Sequence, residues 1–253
     1  MIEKKQIEKL AAAQQTTMDN MVREYFQHLF LAQLYQEKGA DALLFKGGTA
    51  LRIIWQSPRF SEDLDFTGVQ LNHKSIEGLM EGALAKMEKE GIKSEIEDSK
   101  KTSGGYLAIF HFETEEYRSR IQIEVSLRKD KIIKARPATG GGSAALIRSE
   151  LVPPYTLTHL QESILVGEKI QASLTRGKAR DFYDLYFILR GRMAFQEVFT
   201  KDKALKSKIL KAVKSGKLDF KRELKKFLPV SQHMIIKSFP DTLIAEIERN
   251  LPG

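Results

Sequence analysis

The 253-residue chain has no cysteine, which excludes disulfide bridges, thiolate metal sites and cysteine nucleophiles together. No apolar run approaches the roughly 18 residues that a membrane-spanning helix needs, so no such helix is expected. The first nine residues are charged and lack the apolar core of a secretory leader, and the missing cysteine fits the expectation of a cytoplasmic protein. Five histidines (His28, His73, His111, His159 and His233) show no metal-ligand spacing. There is no Gly-x-x-x-x-Gly-Lys-(Ser/Thr) loop, which argues against a P-loop ATPase.

What is present is an ordinary globular composition, 42% hydrophobic and 29% charged, with a net charge of +8. The surplus is unevenly placed. Lys201–Lys226 holds eleven Lys and Arg against three Asp and Glu, which equals the whole excess. Such a segment either attracts a polyanion or is a solvated helix face.

Apolar residues at helical spacing predict helices over residues 4–13, 18–37 and 75–90. Thr16 with Asp19 reads as the cap of the second and Gly39 as its stop. Short strands are expected at 42–45 and 64–67, with a short helix at 50–55 between them. Two longer strands are expected at 106–112 and 120–128. In the last, Ile121, Ile123, Val125 and Leu127 alternate with Gln122, Glu124, Ser126 and Arg128. Lys129 to Ser143 is basic and glycine-rich and reads as a loop. After Pro153-Pro154 only helices are expected: one from a Thr158/Gln161 capping box to about 174, then 179–189, 203–214, 218–228 and 241–250. The chain therefore reads as a mixed α/β part followed by a helical part, with the boundary near 150.

One stretch carries chemistry: Lys46-Gly47-Gly48-Thr49-Ala50-Leu51-Arg52, then Arg59-Phe60-Ser61-Glu62-Asp63-Leu64-Asp65-Phe66. Glycines before a helix let backbone N–H groups approach a phosphate. In a strand Asp63 and Asp65 share a face, about 6–7 Å apart, and can share a divalent metal. Lys46 and Arg52 lie nearby, and for Arg52 the expectation is a solvated side chain.

Gly48-Thr49 followed by Asp63-Leu64-Asp65 resembles the nucleotidyltransferase superfamily signature, with Thr49 where serine is commoner. The fuller form, Gly47 to Leu51 with Arg59 to Asp65, resembles the AbiEii/AbiGii toxin branch. A second block is similar to that branch's C-terminal motifs: Glu168-Lys169, then Arg176-Gly177-Lys178-Ala179-Arg180-Asp181-Phe182-Tyr183-Asp184-Leu185-Tyr186. The resemblance covers residues 40–190.

It implies an α/β (α+β) nucleotidyltransferase fold, a mixed sheet with flanking helices, at 1–150. An all-helical domain at 151–253 would bring Lys169 and Asp181 to a cleft. It implies Mg²⁺-dependent (or Mn²⁺-dependent) transfer of NMP from an NTP to an acceptor such as an RNA or tRNA 3′ end; the charge of the Lys201–Lys226 segment, outside the resemblance, makes it the candidate to hold such an RNA. It also implies a prokaryotic toxin with a cognate antitoxin, or an abortive-infection protein, and no membrane partner. Two alternatives stay open: a nucleotide- or RNA-binding module without turnover, and a small-molecule, drug-modifying nucleotidyltransferase.

Residue by residue, the resemblance implies that Gly47, Gly48 and Thr49 cradle phosphates and that Asp63 and Asp65 hold metal. Glu124 is either the third carboxylate, as base or metal ligand, or a solvent-facing glutamate. Arg59 and Ser61 position the acids or a phosphate. Lys169 faces the triphosphate, and Arg180 and Asp181 orient it or the nucleotide. Asp184 reads as a structural residue.

Overall fold

A computed structural model describes residues 2–127, 141–193, 204–215 and 218–251. The chain divides into two units, Met1–Gln56 with Phe60–Leu160, and Ser57–Arg59 with Gln161–Gly253.

The first unit is built on one mixed sheet. Its strands are β1 (Leu43–Lys46), β2 (Leu64–Gly68), β3 (Lys93–Thr102), β4 (Gly105–Glu113), β5 (Arg118–Ser126), β6 (Gly142–Ile147) and β7 (Tyr155–Leu160). They lie in the order β3-β4-β5-β2-β1-β7-β6. β2 runs antiparallel to β1 and parallel to β5, and β1 runs parallel to β7. Helices α1 (Lys4–Ala13), α2 (Met18–Leu34), α3 (Gly47–Trp55) and α4 (His73–Lys89) complete the unit.

Helix α2 starts where the Thr17 hydroxyl accepts the Asn20 N–H, one residue after the expected cap, while Thr16 accepts from the Asn20 side chain. It ends at Leu34, short of the expected 37. Phe26 and Phe30 of α2 are fully buried against Phe112 and Phe110 of β4, with ring centroids 5.7 and 5.8 Å apart. Burying each such ring contributes about 1.5–3 kcal/mol. The α4 stripe of Ile76, Leu79, Met80, Leu84 and Met87 is buried as its spacing predicts. On β5 the apolar set Ile121, Ile123 and Val125 is buried while Glu124 is exposed. Helices therefore take one face of this part of the sheet, and the acids stand on the other.

Three strands escape the sequence pattern. β3 is an edge strand, KSEIEDSKKT, almost entirely polar, and its pairing with β4 makes it a strand. β6 begins inside the expected loop; residues 128–140, most of that loop and the last residue of the expected 120–128 strand, lie outside the described residues. β7 contains Thr158, so the expected capping box does not form; Gln161 precedes the next helix with no side-chain cap. The Tyr35 hydroxyl lies 2.7 Å from the Thr158 carbonyl and 2.6 Å from that of Leu43, tying β7 beside β1. The first unit therefore runs to Leu160, past the expected boundary near 150.

The second unit is helical: α5 (Glu162–Thr175), α6 (Ala179–Gly191), α7 (Leu205–Lys214), α8 (Phe220–Leu224), α9 (His233–Lys237) and α10 (Phe239–Asn250). Phe239 is its aromatic centre, stacked on Tyr183 at 5.6 Å and close to Phe220 at 5.0 Å. α7 buries Leu205, Ile209 and Val213 and exposes Lys208, Lys211 and Lys214. Of the basic segment, residues 201–203 and 216–217 lie outside the described residues. No helix among the described residues is long and apolar enough to cross a membrane.

His28 of α2 is buried, with Nδ1 2.8 Å from the Tyr155 hydroxyl. Burial, aided by the Arg52 charge, pushes its pKa down to about 3. An unfolded histidine takes its proton near pH ~6.5. Below that pH the unfolded chain binds a proton that the folded chain refuses, so stability is full above it and falls as the pH drops. His28→Gln is expected to flatten the dependence of Tm on pH between about 6.5 and 4, measured by thermal melts.

Candidate active site

β1 ends where the chain must turn into α3, and Gly47 makes that turn at φ +85°, a left-handed value that favours glycine. A side chain there has no room. A Cβ on Gly47 would collide with the carboxylate of Asp65, 2.8 Å from its Cγ. Asp65 thus sits against the N-terminus of α3, where unsatisfied N–H groups favour an anion and, nearby, a phosphate. Gly48 and Thr49 are buried in the first turn of α3. The Thr49 hydroxyl donates to the backbone carbonyl of Asp63 at 2.5 Å. The sequence assigned this hydroxyl to phosphate; here it ties α3 to the segment bearing the acids.

Register places the remaining groups in a row. Lys46 of β1 pairs with Asp65 of β2, Asp65 with Glu124 of β5, and Glu124 with Leu107 of β4. Asp65 and Glu124 therefore stand side by side on adjacent strands, pointing to the same face. Asp63, just before β2, is half-buried on that face two residues earlier. Gln122 Nε2 donates to Glu124 Oε1 at 2.7 Å and so restrains this exposed carboxylate. A groove of about 430 Å³ opens over the row, lined by Lys46, Asp65, Glu124, Leu107, Ser126 and the 102–104 turn. Farther along the face Arg120 forks onto Glu97, and the charge of Asp63 helps to raise its pKa.

Among the described residues no three His, Asp or Glu side chains gather closely enough to hold a metal ion. Mg²⁺ commonly takes only one or two protein carboxylates, with phosphates and water completing its shell. The hard oxygens of Asp63 and Asp65, beside a phosphate-favouring helix start, suit that mode of binding.

The structure adds a residue that sequence reasoning missed. Gln27, 1% exposed on α2, donates its side-chain amide to the carbonyls of Ser61 and Glu62, both at 3.1 Å. Ser61 thus enters through its backbone, leading directly into Asp63. The available signal was a glutamine among Tyr25, Phe26 and Leu29 on a buried helix.

Arg52 corrects an expectation. It is not solvated: its Nε lies 2.7 Å from Glu24 Oε2, with side-chain exposures of 13% and 10%, and its guanidinium covers the Phe60 ring at 3.9 Å.

In the second unit Asp184 is the hub. Arg59 grips it bidentately, Nε to Oδ1 at 2.8 Å and Nη2 to Oδ2 at 3.0 Å, and Lys169 Nζ donates to Oδ2 at 2.8 Å. All three are buried. Burial by itself would raise the Asp184 pKa, but the charges of Arg59 and then Lys169 reverse this and hold the carboxyl below its usual range. Burial would likewise lower that of Arg59, and Asp184 raises it instead. Asp181 is turned to other tasks: Arg176 Nε donates to its Oδ2 at 3.0 Å and the Lys178 backbone N–H at 3.2 Å, closing the start of α6. The carboxylate that orients Lys169 is therefore that of Asp184 and not that of Asp181. Arg180 is half-buried in the first turn of α6.

Two outcomes are expected. Asp184→Ala strands two buried cations and should cost about 3–5 kcal/mol in urea denaturation. The stability supplied by Asp184 is present above the ordinary carboxylate pKa of about 3.9 and is lost as the pH falls below it. Gln27→Met removes two hydrogen bonds of about 1 kcal/mol each and should speed deuterium exchange across residues 61–65 before the rest of the sheet.

The fold is shared with solved structures. MenT4, a nucleotidyltransferase toxin from Mycobacterium tuberculosis H37Rv, superposes with a TM-score of 0.67 at 15% identity, covering 98% of this chain and 90% of that one. JHP933 from Helicobacter pylori gives 0.62 at 19% identity, covering 92% of each chain. No curated protein matches the chain significantly. The family described as nucleotidyl transferase AbiEii toxin, type IV TA system, matches residues 29–245. With that match across most of its length, and with Gly47, Asp65 and Glu124 arranged as above, the chain belongs to the AbiEii nucleotidyltransferase toxin family.

Proposed function

We propose that the chain transfers a nucleoside monophosphate from an NTP to a hydroxyl group, with Mg²⁺ held by Asp63 and Asp65 and an RNA 3′ end as acceptor. The observation that carries this reading is the Asp65 carboxylate, lodged against Gly47 at the start of α3 with Glu124 in register beside it. The start of α3 is a place for a phosphate chain. The adjoining carboxylates are the hard donors that a phosphate-bound divalent ion takes, and such an ion neutralises charge on the triphosphate and orients its leaving group.

The chemistry follows from the row. The acceptor hydroxyl oxygen bonds to the α-phosphorus, the bond from that phosphorus to the bridging oxygen breaks, and pyrophosphate leaves in line. The hydroxyl proton passes to the Glu124 carboxylate, the exposed acid next to Asp65. Thr49 and Gln27 hold the chain entering Asp63 and so preset its place. In the second unit Lys169 carries the charge that the family resemblance assigns to the triphosphate, held by Asp184 at 2.8 Å.

The exposed Lys208, Lys211 and Lys214 on α7, with Lys221 and Arg222 on α8, favour a polyanionic partner such as RNA. Membership of a type IV toxin–antitoxin family favours a neighbouring antitoxin that restrains the activity.

Incubation with labelled NTPs, Mg²⁺ and total RNA tests the reading. Wild type is expected to label RNA, and the Asp63→Ala/Asp65→Ala variant to lose about 10²-fold or more of that rate. Equal labelling by the two proteins would leave a nucleotide- or RNA-binding module. Label appearing only on small molecules would point to a drug-modifying transferase.

A further inference from the structure

The groove beside Glu124 has a second wall that the transfer chemistry does not use. β3 and β4 are joined by a tight turn, with Thr102 paired to Gly105. Gly105 takes φ +159°, and a Cβ there would run into the backbone of Val125. The Leu127 N–H donates to the Gly104 carbonyl at 2.8 Å. The turn is therefore pressed onto the end of β5, one strand from the acids. Its outermost side chains, Thr102 and Ser103, are exposed and line the same groove as Asp65 and Glu124.

The sheet order gives this wall a direction. Along the row the sequence is Lys46, Asp65, Glu124, Leu107. The phosphate-favouring start of α3 lies on the Lys46 side of Asp65, and the turn lies beyond Glu124. In an in-line displacement the leaving and attacking oxygens stand on opposite sides of the phosphorus. With the leaving group toward α3, the attacking hydroxyl arrives from the side of the turn.

We propose that the β3–β4 turn is the acceptor-selecting wall of the site, and that Thr102 and Ser103 recognise the terminal ribose of a nucleic-acid strand. This rests on the transferase reading above and names the part of the site that chooses its substrate. The volume, about 430 Å³, falls in the roughly 300–1,000 Å³ range of small-molecule sites and suits one nucleoside rather than a folded protein surface. The rim offers hydroxyls from Thr102, Ser103 and Ser126, which can exchange hydrogen bonds with a ribose diol, and Leu107 gives the sugar an apolar floor. Lys100, exposed and in register with Leu107 on the groove face, leads into the turn with its Nζ 2.5 Å from Asp98 Oδ2, and supplies a cation that the phosphates of an arriving strand can draw on.

The test uses the full chain, labelled NTP, Mg²⁺ and a 5′-fluorescent oligoribonucleotide of mixed sequence. Thr102→Trp and Ser103→Trp fill the groove from an exposed turn, and an unchanged Tm confirms that each variant folds. The acceptor KM is expected to rise about 10-fold or more while the NTP KM stays within about twofold. The anisotropy Kd of the oligonucleotide, measured without NTP or metal, should rise in step. Ser103→Ala should lose part of the preference for a ribose over a 2′-deoxyribose end. An unchanged acceptor KM and Kd, or a rise in the NTP KM instead, would overturn the assignment while leaving transfer intact. So would a wild type that labels a protein and no oligonucleotide. A wild type indistinguishable from Asp63→Ala/Asp65→Ala would bring down the transferase reading and this inference with it.

Discussion

The space that a side chain at residue 47 would fill is already taken by the carboxylate of Asp65. Much of the site's arrangement follows from that exclusion. β1 and β2 are paired so that Lys46 faces Asp65, and the turn into α3 must pass over the acid with nothing between backbone and carboxylate. Only glycine meets both demands there, the left-handed φ and the missing Cβ. Thr49 and Gln27 then hold the approach to Asp63 by binding its carbonyl and those of the two residues before it. Neither residue reaches the groove itself.

The two units handle charge differently. In the second unit Arg59 and Lys169 are buried on the two oxygens of Asp184, each ion-paired with that one carboxylate away from water. In the first unit the acids of the row are half-buried or exposed, where a ligand can still reach them. Arg52 stands between these cases, partly covered, with Glu24 beneath its Nε and an aromatic ring under its plane.

What could be read from the residues follows a physical boundary. Amphipathic helices announced themselves because burial on one face imposes a 3.6-residue period, as in α4, and β5 did so through strict alternation. β3 gave no such signal: an edge strand with one partner needs no apolar face, and its ten residues are mostly charged or polar. β7 was hidden by Pro153-Pro154 and by a threonine and glutamine spaced like a cap. The motif residues Gly47, Thr49, Asp63 and Asp65 were legible because they lie close together in one stretch. Their partners were not. Arg59 and Asp184 are 125 residues apart, and Gln27 lies 34 residues from Ser61. Nothing local marks a polar side chain whose partner is fixed only by tertiary packing, so Asp184 read as structural without its partners and Arg52 as solvated.

The placing of the acids in the sheet has a consequence for how the molecule moves. β2 and β5 are inner strands, each hydrogen-bonded to a neighbour on both sides, whereas β3 closes one edge with β4 alone. Sheets open from their margins inward, and inner ladders separate only with the whole unit. β3 can therefore fray and re-form many times from its outer side while Asp65 and Glu124 stay in register. Opening at that margin therefore runs on a clock independent of the one that unfolds the protein.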